Sequence, residues 1–145
     1  MSEQNKALVR RAIEEVLSHG DWEVFEEIYA PNVVTHYQAP VVPAGKLEGR
    51  DALRQIVESY RTAFPDLIAT VEDVLAEGDK VVIRWTSTGT HRGPLGTVPA
   101  TGKRVSVRAM AITRIAGGQL VEGWVMDDQL GMLQQLGVVP SMAGD

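Results

Sequence analysis

The stretch LIATVEDVLAEGDKVVIRWTSTGT, residues 67–90, decides the fold. Two runs rich in Val, Ile and Thr flank Glu77-Gly78-Asp79-Lys80, a turn signal. The pattern predicts two antiparallel strands, Leu67–Ala76 and Val81–Thr90. Downstream, Lys103–Ile115 and Gln119–Met126 repeat the arrangement around Ala116-Gly117-Gly118. Arg92–Gly102, with three glycines and two prolines, reads as the long loop between the pairs.

Upstream the period changes from two to 3.6. Val9, Ile13, Val16 and Leu17 form one face of a predicted helix from Glu3 to His19, with Ser2 as its N-cap and Gly20 as its stop. Asp21 caps a second helix that carries Trp22, Phe25, Ile28 and Tyr29, and Pro31 follows its end. Asn32–Tyr37 reads as a short strand with Val34 and His36 on one face and Val33, Thr35 and Tyr37 on the other. Gln38–Gly49 reads as loop. Arg50–Ala63 is a third helix with the stripe Leu53, Ile56, Val57, Tyr60 and Phe64, stopped by Pro65. A short helix over Gln129–Leu136 ends at Gly137. Helices followed by a meander of strands predict an α+β fold, a curved antiparallel sheet with helices on one face.

Composition sets the class. The chain has 145 residues, 44% hydrophobic and 23% charged, which predicts one globular domain over 1–145 able to bury a core. Its net charge of −5, with no dense basic run, predicts no nucleic-acid partner. No apolar run approaches the ~20 residues of a membrane span, and the N-terminus lacks the apolar stretch of a signal peptide. The expected setting is the cytoplasm, away from membranes. The absence of cysteine excludes disulfides, thiol catalysis and Cys-ligated zinc. There is no HxH or HExxH spacing, so no metal site is expected. The GxSxG elbow and the phosphate-binding GxxxxGK[ST] loop are also missing.

The chemistry concentrates in VEGWVMDDQLGMLQQLG, residues 121–137. Strand parity puts Glu122, Trp124, Met126 and Asp128 on one face, with Val121, Val125 and Asp127 on the other. Either aspartate could cap the terminal helix. Alternatively, one of them faces a pocket floored by Trp124, where burial would raise its pKa toward neutrality. His19, beside Gly20 at a helix end, reads as structural. His36 and His91 are pocket candidates set against ordinary half-buried histidines. Arg84 and Arg108 sit in apolar strands, either reaching solvent or anchoring a ligand oxygen. Tyr37, Tyr60, Trp85 and Trp124 are candidates to line an aromatic cavity.

These segments together resemble the SnoaL-like polyketide cyclases, within the nuclear transport factor 2-like superfamily of cone-shaped α+β folds. The resemblance is carried by FPDL (64–67), EGDKVVIRW (77–85), GTHRGPLG (89–96), PATGKRV (99–105) and the terminal 121–137 segment, and it covers nearly the whole chain. It implies ring closure by intramolecular aldol chemistry with neither metal nor cofactor. The aspartate near the end of the last long strand would be the acid/base, and here that position is Asp128, four residues after Trp124. His36 and His91 match positions where the family often carries histidine, and Asp127 substitutes for Asp128 if a bulge shifts the register. Tyr37, Tyr60, Trp124, Arg84 and Arg108 would then contact substrate. The resemblance also implies a homodimer through the outer face of the sheet. The competing reading is a non-catalytic binding module of the same fold. Epoxide hydrolysis, found elsewhere in the superfamily, is disfavoured: it needs an Arg and an Asp alternating on one strand, but Thr86 and Met110 stand where the Asp would follow Arg84 and Arg108.

Overall fold

The computed structural model describes residues 2–143. Helix α1 spans Ser2–Arg11, with Ser2 already inside the helix rather than capping it. The helix runs on as a π-helical stretch, Ala12–Leu17. There the Ser18 amide donates to the Ile13 carbonyl at 3.1 Å, a span of five residues. The wider turn places Ala12, Ile13 and Val16 together on the buried side. Gly20, at φ 64°, reverses the chain, and Asp21 caps α2 (Trp22–Ile28) by accepting from the Val24 amide at 3.2 Å.

Two side chains tie the end of this first helix to the rest. The buried Ser18 hydroxyl accepts from the Ala69 amide at 2.7 Å and donates to the Ala69 carbonyl at 3.1 Å. Arg61, on α3 (Arg50–Ala63), donates to the Leu17 and Ser18 carbonyls at 2.8 and 2.7 Å, satisfying the open end of the helix.

The strands are β1 (Tyr29–Tyr37), β2 (Lys46–Glu48), β3 (Ile68–Glu77), β4 (Lys80–Thr90), β5 (Arg104–Ala116) and β6 (Gln119–Asp127). Helix α4 (Gln129–Gln135) follows β6. The strands form one sheet in the order β2-β1-β6-β5-β4-β3. The predicted helices and both predicted hairpins are present, but three expectations change. The sheet is mixed, because β1 runs parallel to β6. Pro31 lies inside β1, at the register irregularity between Tyr29 and Val34, where a residue without an amide donor is tolerated. The loop expected over 38–49 contains β2, three residues too short to show a period, which pairs with Val34–His36.

Alternation along β5 defines the two faces. Val105, Val107, Ala109, Ala111, Thr113 and Ile115 point inward, and the residues between them point out. The core on the inner face joins Val9, Phe25, Ile28, Val81 and Ile83. A second cluster, including Phe64, Leu95, Met132 and Leu136, seals the far end beneath the 92–102 loop. Gly93 lets that loop lie flat against α3. A Cβ there would stand 2.4 Å from the Thr62 carbonyl oxygen, which belongs to backbone and cannot turn aside. Gly93→Ala should therefore cost roughly 1–3 kcal/mol in denaturant unfolding. A variant as stable as wild type would show that the loop is not packed this way.

Candidate functional site

The helices do not fill the concave face. They leave a cavity of about 180 Å³ between the sheet and the packing surfaces of α1, the π-helical stretch and α3. Most of its wall is apolar, with Ile13, Val57, Phe64, Trp85 and Val125 among the lining residues. At the end nearest α4, four polar side chains converge: Tyr37, Tyr60, Asp127 and Gln129.

The hydrogen bonds fix the direction of every proton in this group. The Tyr37 hydroxyl donates to Asp127 Oδ2 at 2.8 Å. It is 2.8 Å from the Tyr60 hydroxyl, so Tyr60 must be the donor to Tyr37. Gln129 Nε2 donates to Asp127 Oδ1 at 2.9 Å and to the Tyr37 oxygen at 3.0 Å. These partners orient the Gln129 amide. Tyr37 is thus saturated, whereas Asp127 keeps unused lone pairs and Tyr60 has a hydroxyl that can turn toward a ligand.

Burial pushes the Asp127 carboxyl above its ordinary value, and the neighbouring Asp128 adds to that, while the Gln129 and Tyr37 hydrogen bonds pull it partly back. Burial also drives both phenols upward, Tyr37 far beyond the physiological range with the Asp127 charge adding to it. The tyrosines therefore serve as donors, and the proton that can come and go in the cavity belongs to Asp127. Glu122 also borders the cavity, but its carboxylate bonds His36 at 2.8 Å and Arg114 at 3.4 Å. The His36 bond, then Arg114, hold it below the usual carboxylate range.

The residues expected from sequence separate into two groups. Tyr37, Tyr60 and Trp85 line the cavity. Asp128 does not: it is exposed and caps α4, accepting from the Gly131 amide at 2.8 Å. No bulge was needed to bring Asp127 inward, since β6 keeps its alternation from Gly123 to Asp127. The sequence takes the Trp124 side as the inside, but in the structure that side faces out. Trp124 lies on the outer face, stacked on His36 with ring centroids 5.4 Å apart and with the Lys80 ammonium 5.6 Å from its ring centroid. His36, its register partner, shares that outer face. Arg84 is also outside, paired to Asp73 at 2.6 Å, and Arg108 is exposed on the same side of β5.

His91 is fully buried but is not among the cavity-lining residues. Its Nδ1 accepts from the Thr101 amide at 3.1 Å, which puts the ring proton on Nε2, and its ring packs 5.4 Å from that of Phe64. Burial lowers its pKa, so the imidazole stays neutral while pinning the 92–102 loop. Sequence reasoning missed Gln129, read only as the first residue of a helix, and Gly123, whose place in mid-strand was the available signal. Among the described residues, no group of three or more His, Cys, Asp or Glu side chains is placed to hold a metal ion. Likewise, no helix is long and apolar enough to cross a membrane.

With this geometry established, comparison with known proteins is specific. The family model described as SnoaL-like polyketide cyclase matches residues 7–136. No curated protein matches the chain in sequence. A candidate SnoaL-like polyketide cyclase from Jannaschia sp. CCS1 is 27% identical, with a TM-score of 0.84 over 96% of this chain and 95% of that one. IdmH, a candidate polyketide cyclase from Streptomyces antibioticus, is 31% identical, with a TM-score of 0.80 over 93% of this chain and 99% of that one. TsrD from Streptomyces laurentii is 27% identical, with a TM-score of 0.82 over 96% and 98%.

The raised carboxyl of Asp127 has a thermodynamic signature. The folded state holds this proton more tightly than the unfolded chain, so stability falls as pH rises from about 4 toward the folded-state value, and then levels off. Asp127→Asn lacks this loss. Unfolding free energies measured across pH should therefore show wild type losing ground to Asp127→Asn as pH rises through that window. A flat or opposite difference would mean that Asp127 is solvated.

Proposed function

The chain belongs to the SnoaL-like polyketide cyclase family, and from that premise we propose that it closes a ring in a small, largely apolar carbonyl compound by acid/base chemistry at Asp127. The observation that carries this reading is a half-buried carboxylate at the end of an apolar cavity, held by Tyr37 and Gln129 and raised in pKa.

The chemistry balances with no external reagent. The Asp127 carboxylate takes a proton from the carbon next to a ligand carbonyl, and the C–H electron pair becomes an enolate. The Tyr60 hydroxyl turns from Tyr37 to donate to the enolate oxygen, while Gln129 continues to donate to Tyr37. The enolate carbon then bonds to a second carbonyl carbon of the same molecule. That carbonyl's π pair moves to its oxygen, which recovers the proton from Asp127. Apolar walls favour the folded substrate conformer and exclude competing water.

The outer face supports a second proposal, a homodimer. Met110 and Met126, opposite one another in register, are 50% and 79% exposed, and Ile112 and Leu75 add to the apolar surface. Arg84 and Arg108 stand on the same face as Asp73, Glu72 and Glu122, so a two-fold copy can match both charge signs.

A panel of linear 1,3-diketones and poly-β-ketone thioesters tests the catalytic reading. Asp127→Asn should lower turnover by roughly 10²–10⁴-fold. Asp128→Ala should keep turnover within about threefold and cost about 1 kcal/mol of stability through the lost cap. If wild type turns over no member of the panel above the Asp127→Asn background, the binding-module reading takes over. Light scattering at micromolar concentration should return twice the chain mass, and a monomer there would refute the outer-face dimer.

A further inference from the structure

We propose that the cavity has a second polar subsite, formed by Thr35 and Thr113 on either side of Gly123, which receives an oxygen function at the far end of an elongated ligand. The inference builds on the cavity reading above and specifies what the ligand looks like.

The three residues lie in one row across the sheet. Thr35 of β1 is opposite Gly123 of β6, and Gly123 is opposite Thr113 of β5. All three line the cavity. The threonines are 6% and 7% exposed, and among the described residues neither hydroxyl is taken up by a hydrogen bond within the protein. Both threonines line the cavity and neither hydroxyl is among the fully buried unpartnered atoms, so each keeps surface that a ligand oxygen can reach.

Gly123 is the second, independent observation. A glycine in mid-strand weakens the strand by roughly 0.5–1 kcal/mol relative to alanine. Here the fold gives no reason for it. Its φ lies outside the left-handed region, and a Cβ would meet only the Ile112 carbonyl oxygen, at an ordinary 3.9 Å. The missing side chain therefore keeps a notch open on the cavity side, with a hydroxyl at each flank. A flat group can lie against the backbone there, with its oxygen bonded by either threonine.

Position along β6 sets the ligand's length. Gly123 is four residues from Asp127, roughly 13 Å of strand. The ligand is thus an elongated, mostly apolar molecule with one oxygen at the Asp127 end and another at its opposite end. A hydroxyl or carbonyl is the matching chemistry, because threonine both donates and accepts and no cation lines the cavity among the described residues.

The test uses 4,4′-dihydroxybiphenyl and 4-hydroxybiphenyl, which differ only in the second oxygen, with affinity measured by calorimetry. Wild type should bind the diol about three- to tenfold more tightly, the effect of one neutral hydrogen bond. Thr35→Val and Thr113→Val, which keep the side-chain shape, should shrink that ratio while leaving the mono-ol affinity within about twofold. Gly123→Ala, which the fold accommodates, should weaken the diol at least threefold. Equal affinity of the two probes for wild type, an undiminished ratio in both threonine variants, or no binding of either probe would each overturn the proposal. Turnover plays no part in these readings. A failed acid/base role at Asp127 would leave the ratio intact, and a failed subsite would leave the Asp127 effect on turnover intact.

Discussion

Parallel pairing of β1 with β6 is the contact on which the rest of the site depends. It joins segments about ninety residues apart in the chain and sets Tyr37 opposite Val125, one step from Asp127. The same register brings Thr35 beside Gly123. A shift by one residue would turn Tyr37 and Thr35 to the outer face and bring His36 inward, because side chains alternate with a period of two. The pairing therefore supplies the hydrogen bonds that hold Asp127 as well as the hydroxyl at the cavity's other end. Being parallel, it cannot be closed by a short turn; α3 and the β3–β5 meander lie between its strands.

The two faces of the sheet divide the polar residues by chemistry. The outer face carries ion pairs, Arg84 with Asp73 and Arg114 with Glu122, and Glu122 also bonds the His36 ring. Solvent screens such pairs, so they add little to stability, but they allow charged groups on strands whose other face is core. On the inner face the hydroxyls and one amide surround a single carboxylate whose side chain is turned into the cavity. This division makes Asp127 sensitive to its surroundings, since few charges nearby fix its protonation state.

Much of the fold is legible in the sequence because its signals are local. Arg50–Ala63 is read to the residue, and both hairpins fall within a residue or two of their places. Strand parity is also legible: it groups Trp124 with Asp128, and Val125 with Asp127. Parity does not say which side of a strand the helices will cover. Trp124 points to the wrong side because a large aromatic ring reads as core, whereas here its face is occupied by His36 and Lys80. His91 misleads differently. It is buried, as a pocket residue would be, but its partners are the backbone and hydroxyl of Thr101. Gln129 and the β1–β6 register are long-range facts with no local period to reveal them.

The tie between Ser18 and Ala69 bears on how copies of this chain can meet. Strand β3 is the last of the sheet, and the edge of a sheet normally offers unpaired amides and carbonyls to any passing strand. At Ala69 both groups are already taken by one hydroxyl from the first helical segment. Further along, the irregularity between Val71 and Asp73 interrupts the ladder, and Glu72 and Asp73 present negative charge. The border is thereby blunted against the runaway strand-to-strand growth that leads to fibres. The dimer proposed above uses the broad side of the sheet instead, where contact between two copies would be finite and close on itself.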